Sequence, residues 1–302
     1  MRIRNVRTAR HPPRKIRLVV ESGYRSVEAQ TGRIQTAIRL ADDAAAAFDM
    51  ISLFLDLDGT LIDLAGTPEA VLVPPHLPQL LAALDSRFKG ALALASGRNI
   101  ASLDRLLVPY IGAAIGVHGI EYREPQGSVQ SMSVSPLQPA LFAEIVDRIG
   151  DFSHAFIEEK GIALAVHFHG EPLEMSRLES MLALACKRLQ PDWRCLPGHR
   201  VIELKPAGID KGVGLERMMT VPPFLGTKPV AIGDDITDLD LLAAARKRKG
   251  LAITVGNRIA NKGDCHLSSP AEVLRFLDLL ILAPQLDNTS TVAELALAAA
   301  GG

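Results

Sequence analysis

Two aspartates separated by one residue are the first side chains in this sequence whose type and spacing could do chemistry. Asp56 and Asp58 directly follow an apolar, β-prone run, 51–55, and Gly59 and Thr60 come next. One carboxylate can attack phosphorus, and the other can protonate a leaving oxygen and later deprotonate water. Phosphoryl transfer is therefore one interpretation of the stretch, and an ordinary polar turn after a strand is the other.

A second acidic cluster follows another predicted strand. The apolar run 229–232 leads into Gly233, Asp234 and Asp235, and Asp238 lies three residues further on. Open α/β sheets bind ligands at the carboxyl ends of their strands, so carboxylates from two strands can converge on one Mg²⁺. We therefore predict Mg²⁺ as the cofactor. An acidic helix start would also explain some of these residues.

Polar residues at other predicted element ends could hold a phosphoryl group. Ser96 follows the apolar run 91–95, and its hydroxyl could bind a phosphoryl oxygen, while Arg98 could form charge-assisted hydrogen bonds. Lys211 opens a predicted helix and could neutralise both phosphate and a carboxylate nucleophile. His118 ends a third predicted strand. The alternatives are a helix-capping serine, a solvated arginine and a structural histidine.

The order of predicted elements indicates an α/β protein with an insertion. Buried strands alternate with helices before residue 122 and after residue 205, which predicts a Rossmann-like parallel sheet. Between them, two strand–strand–helix passes predict a small antiparallel sheet with helices on one face. We predict a basic N-terminal arm at 1–26, a discontinuous core at 27–121 and 206–283, an inserted α/β cap at 122–205 and a loosely attached C-terminal tail at 284–302.

The insertion carries charged and polar residues on its predicted strands. Residues two apart in a strand share a face, so Glu203 lies with Lys205, and His167 with His169. Such a surface could hydrogen-bond a hydroxyl-rich ligand, or it could be a solvated sheet face.

The composition of the chain limits the kinds of partner and the cellular location to be expected. The chain has 302 residues and a net charge of -1, which gives no reason to expect nucleic acid. No apolar run approaches the roughly 18 residues that span a bilayer. Three cysteines predict no disulfide framework and fit a reducing compartment, so we expect a cytoplasmic location. We also expect a monomer. We interpret the basic stretch 1–20 as a disordered tail, or as the result of a start codon placed too far upstream. The alternatives are an organelle-targeting arm and an electrostatic tether.

These motifs resemble the haloacid dehalogenase superfamily, whose four motifs match Asp56-x-Asp58-Gly59-Thr60, Ser96, Lys211 and Gly233-Asp234-Asp235 in this order. Within it, residues from about 45 to 279 resemble the trehalose-6-phosphate phosphatase family. The segments that carry this resemblance are Ala95-Ser96-Gly97-Arg98, Val117-His118-Gly119-Ile120-Glu121, Glu158-Glu159-Lys160-Gly161, Val201-Ile202-Glu203-Leu204-Lys205-Pro206, Asp210-Lys211-Gly212 and Gly233-Asp234-Asp235-Ile236-Thr237-Asp238.

The resemblance implies a role for each matching residue. Asp56 would be the nucleophile and Asp58 the general acid/base, while Ser96 and Lys211 would hold the phosphoryl group. The implied metal residues are Asp56, Asp58 (through its carbonyl), Asp234 and Asp235, with Asp238 in support. The expected substrate-binding residues are Gly59, Thr60, Arg98, His118, Glu121, Glu158, Lys160, His167, Glu203 and Lys205.

By this resemblance the chain would be a phosphoric monoester hydrolase that converts trehalose 6-phosphate to trehalose and phosphate through an aspartyl-phosphate. Two positions depart from the family: His169 stands where an arginine is usual, and Leu239 where a glutamate is usual. These departures leave open another sugar phosphate, such as sucrose 6-phosphate or a glycosyl-phosphoglycerate. A non-catalytic sugar-phosphate sensor is a further alternative, although it would not need an intact acid/base.

Overall fold

The computed structural model describes most of the chain after residue 50. The described residues are 51–67, 70–133, 139–160, 163–189, 192–197, 200–282 and 289–300. The predicted basic arm at 1–26 and the first part of the predicted core, 27–50, lie outside these residues.

The described residues form twelve strands and eight α-helices. The strands are β1 (Ile51–Leu55), β2 (Leu92–Ala95), β3 (Ala113–Gly116), β4 (Glu121–Arg123), β5 (Gln130–Ser131), β6 (Ala155–Lys160), β7 (Ala163–Phe168), β8 (Trp193–Pro197), β9 (Val201–Pro206), β10 (Lys228–Gly233), β11 (Leu251–Val255) and β12 (Cys265–Leu267). The helices are α1 (Leu77–Arg87), α2 (Ile100–Leu107), α3 (Pro139–Ile149), α4 (Pro172–Leu189), α5 (Lys211–Met218), α6 (Leu239–Lys247), α7 (Pro270–Leu282) and α8 (Thr289–Ala300).

Eight strands build a mainly parallel sheet in the order β12-β11-β10-β1-β2-β3-β4-β5. The six strands from β12 to β3 are parallel, and β4 and β5 add an antiparallel edge. Every residue of β1, β2, β3 and β11 is buried, as expected for parallel strands covered on both faces. The central position of β1 puts Asp56 and Asp58 near the middle of the carboxyl edge.

A separate antiparallel sheet has the order β6-β7-β9-β8. We call β6–β9 with α3 and α4 the cap, and the large sheet with its helices the core. Leu164, Val166 and Phe168 of β7 pack with Leu178 and Leu182 of α4, so the helices cover one face of this sheet. Successive side chains of a strand point to opposite faces of the sheet. Every second side chain of β6, β7, β8 and β9 therefore lies on the face away from the helices, which we call the open face.

The structure differs from the predicted division at two places. The large sheet continues through β4 and β5 to Ser131, beyond residue 121. Residues 289–300 form α8, whose Val292, Ala293, Ala296 and Ala299 are buried in the main core. This segment therefore packs as a helix, because its small side chains recur at helical spacing, and it is not a loosely attached tail.

Two smaller expectations concern membranes and cysteines. Among the helices that the structure describes, none is long and apolar enough to cross a bilayer. Cys265 is a buried free thiol, whereas Cys195 is disulfide-bonded, against the expectation from the cysteine count. Cytoplasmic location and a monomeric state stay predictions.

The packing of α8 can be tested with one pair of substitutions. Ala296→Glu puts a carboxylate into the core and is expected to lower the free energy of unfolding by about 2 kcal/mol or more. Ala298→Glu, on the exposed side of the same helix, is the matched control and should change it by less than about 0.5 kcal/mol. Chemical denaturation measures both, and equal effects would contradict a packed α8.

Candidate active site

Two neighbouring strands carry the two acidic clusters to one place. β1 runs parallel to β10, with Leu55 opposite Ile232. The Asp56 N–H donates to the Ile232 carbonyl oxygen at 3.0 Å. Asp56 follows β1 and Asp234 follows β10, so both leave the sheet at its carboxyl edge, where open α/β sheets bind ligands. The two clusters therefore lie side by side.

A buried lysine lies between these carboxylates. Lys211 Nζ is 2.7 Å from Asp56 Oδ1 and 2.6 Å from Asp238 Oδ1. The exposed fraction of each side chain is 2% for Lys211, 6% for Asp56 and 1% for Asp238. Lys211 is the first residue of α5, and the Asp210 carboxylate caps that helix by accepting the Val213 N–H at 2.9 Å. The capped helix start fixes where the lysine side chain begins.

Asp234 is held by the two residues that follow the first aspartates. Thr60 Oγ1 donates to Asp234 Oδ1 at 3.1 Å. Gly59 has a φ of +87°, and a Cβ at that position would overlap the Asp234 carboxylate, so only glycine fits. The structure thus places Gly59 and Thr60, both expected to bind substrate, against Asp234.

When ionised, the carboxylates of Asp56, Asp234 and Asp238 carry more charge than the single ammonium of Lys211 can offset. Burial and the neighbouring Asp238 charge raise the pKa of Asp56 well above its usual 3.8, although Lys211 opposes them. Burial and Asp238 likewise raise the pKa of Asp234 to about 7. Burial alone would lower the pKa of Lys211, but the Asp238 and Asp56 carboxylates outweigh it and raise that pKa. Lys211 therefore stays protonated, and the cluster has an unbalanced negative charge.

This unbalanced charge fits a metal ion. Among the described residues, carboxylate oxygens of Asp56, Asp234 and Asp238 lie within 4.8 Å of one another. Asp238 Oδ1 already contacts Lys211, and its Oδ2 accepts the N–H groups of Asp234 and Asp235 at 3.1 and 3.0 Å. Asp56 and Asp234 are therefore the better placed ligands, and oxygen donors of this kind suit a hard divalent cation.

Two other expected metal residues are paired with arginines. The Asp58 carboxylate accepts from Arg98 Nε and Nη2, both at 2.7 Å. Asp235 Oδ1 lies 2.7 Å from Arg258 Nη1 and accepts the Ile236 N–H at 2.6 Å. Neither side chain belongs to the group of carboxylates that could hold an ion within the described residues. Arg98, expected on the substrate, contacts Asp58 in this structure.

Ser96 lies on the strand next to β1. β2 pairs with β1 in parallel, with Leu94 opposite Leu55, so Ser96 emerges at the edge that carries Asp56. Its side chain is buried, and its Oγ accepts the Arg98 N–H at 3.1 Å. The serine hydroxyl is therefore fixed close to the strand end, as a phosphoryl ligand would need.

His118 joins the core to the cap. It has a φ of 51° after Val117 with 47°, a conformation that costs non-glycine residues energy. Its buried ring lies 2.5 Å from Glu203 Oε2, and its carbonyl oxygen accepts from Lys205 Nζ at 3.4 Å. Burial lowers the pKa of His118, and Glu203 opposes this. A Cβ on Gly97 would overlap the ring, so the glycine makes room for it.

The open face of the cap also carries an ion pair and a stack of rings. Glu158 Oε2 is 2.8 Å from His167 Nε2. The Phe156 ring stacks on His167 with centroids 4.7 Å apart and on His169 with centroids 5.8 Å apart. The side chain of Lys160 lies outside the described residues. Polar and aromatic groups thus share the surface that was expected to meet the sugar.

Glu121, also expected to bind substrate, contacts a helix start. Its Oε2 accepts the Ile100 N–H at 2.8 Å, and Ile100 is the first residue of α2. This contact satisfies one of the N–H groups that a helix leaves unpaired at its N-terminus.

The sequence model described as trehalose-phosphatase matches residues 54–271, which span both acidic clusters, the lysine and the cap. The chain belongs to the trehalose-phosphatase family. Its curated relatives are named trehalose-phosphate phosphatases, and such enzymes are phosphoric monoester hydrolases.

Relatives of the family agree with this assignment. A probable trehalose-phosphate phosphatase of Sinorhizobium fredii is 37% identical over 80% of this chain and 95% of its own length. The Escherichia coli trehalose-6-phosphate phosphatase is 32% identical over 77% of this chain and 87% of its own. The C-terminal domain of Candida albicans trehalose-6-phosphate phosphatase is 20% identical and superposes with a TM-score of 0.68. The superposition covers 82% of this chain and 96% of that domain. The two proteins therefore share a fold, a haloacid dehalogenase core with an inserted cap.

Three residues near the site of this trehalose-phosphatase family member were not predicted. Arg258 pairs with Asp235, Phe156 stacks on two histidines, and Arg194 of β8 contacts the core. Arg194 could have been noticed, because it stands between the apolar residues Trp193 and Cys195 near a predicted strand. The partners of Arg258 and Phe156 depend on tertiary contacts that sequence spacing does not reveal.

Measurements of Mg²⁺ affinity can distinguish the proposed metal ligand Asp234 from the neighbouring Asp235. Asp234→Asn is expected to weaken Mg²⁺ binding by at least about tenfold, because it removes a charged ligand oxygen. Asp235→Asn, whose carboxylate is paired with Arg258, should change the affinity by about twofold or less. Titration calorimetry measures both, and a larger loss for Asp235→Asn would reverse the assignment.

The lowered pKa of Lys205 predicts that the stability of the protein depends on pH. Burial and then the charge of Arg194 lower the pKa of Lys205 to about 8, against carboxylates that raise it. An unfolded lysine keeps its proton up to its usual 10.5, so the unfolded state binds more protons between these values and stability rises with pH. From about pH 7.5 to about pH 9.5, the wild type should gain about 2 kcal/mol relative to Lys205→Met. Denaturation at both pH values tests this, and a constant difference would contradict it.

Proposed function

We propose that this chain is a Mg²⁺-dependent phosphatase that hydrolyses trehalose 6-phosphate to trehalose and phosphate through an aspartyl-phosphate. The observation that carries the proposal is the buried contact between Asp56, at the carboxyl end of β1, and Lys211. A carboxylate and a permanently charged lysine are what in-line attack on a phosphoryl group requires. Membership of the trehalose-phosphatase family and the names of its relatives support the substrate.

Asp56 is the proposed nucleophile. One of its oxygens forms a bond to phosphorus while the bond from phosphorus to the sugar oxygen breaks. Lys211 offsets the negative charge of the transferring group, and Ser96 donates its hydroxyl to a phosphoryl oxygen. Bound Mg²⁺, held by Asp56 and Asp234, would supply Lewis-acid polarisation of the phosphoryl oxygens.

Asp58 is the proposed general acid and base. It gives a proton to the leaving sugar oxygen and then takes a proton from the water that attacks the aspartyl-phosphate, which releases phosphate and restores Asp56. In the structure both oxygens of Asp58 accept from Arg98. A substrate phosphate would compete for this guanidinium, and its arrival would free Asp58 for proton transfer.

The open face of the cap is the proposed sugar surface. Glu203 and Lys205 lie where the cap meets the core at His118, and Glu158 and His167 lie on the same face. Sugar hydroxyl groups can both donate and accept, so they can replace contacts within such paired groups. A cap over the sugar would also exclude water from the first chemical step.

One observation favours a second candidate, a phosphatase for a different sugar phosphate. His169 occupies the position where the family usually has an arginine, and it stacks on Phe156. A stacked imidazole does not provide the bidentate hydrogen bonds of a guanidinium. Sucrose 6-phosphate is therefore the comparison substrate that matters most.

The proposal is tested by phosphate release from trehalose 6-phosphate, sucrose 6-phosphate and glucose 6-phosphate. We expect kcat/KM for trehalose 6-phosphate to exceed the others by at least about tenfold, a difference of roughly 1.4 kcal/mol, and chelation of Mg²⁺ to abolish release. Preference for sucrose 6-phosphate would select the second candidate. Binding without release would indicate a sensor.

Asp56→Asn is the control for the chemistry. This variant should lose at least about a thousandfold in kcat, because an amide is a poor nucleophile, while its circular dichroism spectrum stays that of the wild type. Turnover near the wild-type rate would contradict the nucleophile assignment.

A further inference from the structure

Charged side chains meet where the β8–β9 edge of the cap approaches the starts of α5 and α6. Arg194 of β8 lies directly opposite Lys205 of β9 in the antiparallel ladder. Two like charges in such positions repel each other unless carboxylates offset them. Those carboxylates come from the core: Arg194 Nη2 is 3.6 Å from Asp210 Oδ2 and 3.7 Å from Asp240 Oδ2.

The same arginine also reaches the backbone of the core. Its Nη2 donates to the Ile209 carbonyl oxygen at 3.5 Å. The carbonyl oxygen and the two carboxylates near this guanidinium therefore belong to the segment before α5 and to the first turn of α6. Within the described residues, this arginine is a cap side chain that contacts both helix starts.

The two carboxylates stand beside the proposed catalytic groups. Asp210 caps α5 immediately before Lys211, and Asp240 lies two residues after Asp238. The helix starts are in close contact, because a Cβ on Gly212 would overlap the Asp240 carbonyl oxygen. The cap is thus tied to the helix starts that hold the lysine in the site.

We propose that Arg194 is a positioning residue that holds the cap against the core, so that Glu203 and Lys205 stay over the phosphate site. This inference rests on the proposed function for its kinetic consequence. The side chains of Arg194 and Asp240 are 34% and 51% exposed, so the contact is partly screened. We therefore expect a several-fold effect rather than loss of activity.

The kinetic test compares a sugar phosphate with a phosphate ester that has no sugar. Arg194→Ala is expected to lower kcat/KM for trehalose 6-phosphate by about three- to tenfold, and to change hydrolysis of p-nitrophenyl phosphate by less than about twofold. Arg194→Lys should recover part of the loss. The effects of Arg194→Ala and Asp240→Asn should combine to less than their product, because they remove the same contact.

Arg188→Ala is the matched control. Arg188 is a cap arginine that donates to both oxygens of Glu144 at 2.7 and 2.6 Å, and both residues lie on the helices of the cap. Its removal deletes an ion pair without touching the core, so both substrates should be hydrolysed at wild-type rates. An equal loss in Arg188→Ala would mean that cap stability, not positioning, causes the effect.

A measurement without substrate separates this inference from the proposed function. Hydrogen exchange of the segment 207–213 should be about three- to tenfold faster in Arg194→Ala than in the wild type and unchanged in Arg188→Ala. Unchanged exchange in Arg194→Ala overturns the inference, whatever the substrate is. Faster exchange in an enzyme that does not hydrolyse trehalose 6-phosphate would keep Arg194 as a cap contact and reject the proposed function.

Discussion

The buried ammonium of Lys211 is the constraint on which the rest of the site depends. A charge with so little contact with water is tolerable only beside carboxylates, and Lys211 lies between those of Asp56 and Asp238. Asp238 also accepts the N–H groups of Asp234 and Asp235. One lysine therefore ties the end of β1 to the turn after β10 and sets the distance between the two acidic clusters.

The same arrangement explains why the site suits a cation and a phosphate together. A single lysine cannot balance three neighbouring carboxylates, and burial together with the charge of Asp238 raises the pKa of Asp234 to about 7. A phosphate dianion would be repelled by the same excess charge until it is neutralised. Arg98 adds a second positive group at this edge, but it is shared with Asp58. Under the proposed function, the cation, the lysine and the arginine would each offset a different part of this charge.

The sequence allowed much of the core to be predicted and less of its side-chain pairing. Strand β1 has the bounds of the apolar run 51–55, because its pattern is unambiguous and turn residues follow it. The neighbouring positions of Asp56 and Asp234 followed from a general property of parallel sheets. The pairing of Asp58 with Arg98 did not, since a carboxylate selects among nearby cations only once the chain is folded. The packing of α8 on the core was missed because an alanine-rich segment shows little contrast between its faces.

The order of strands in the cap indicates which of its residues would decide the sugar specificity. Glu203 and Lys205 lie on β9, beside the core, whereas Phe156 and Glu158 lie on β6, two strands away at about 10 Å. A sugar joined directly to the phosphate would meet β9 first, and only a second sugar ring would extend to β6. His169 stacks on Phe156 at that distant edge. A change of arginine to histidine there should therefore alter recognition of the second ring and leave the phosphoryl chemistry at Asp56 intact.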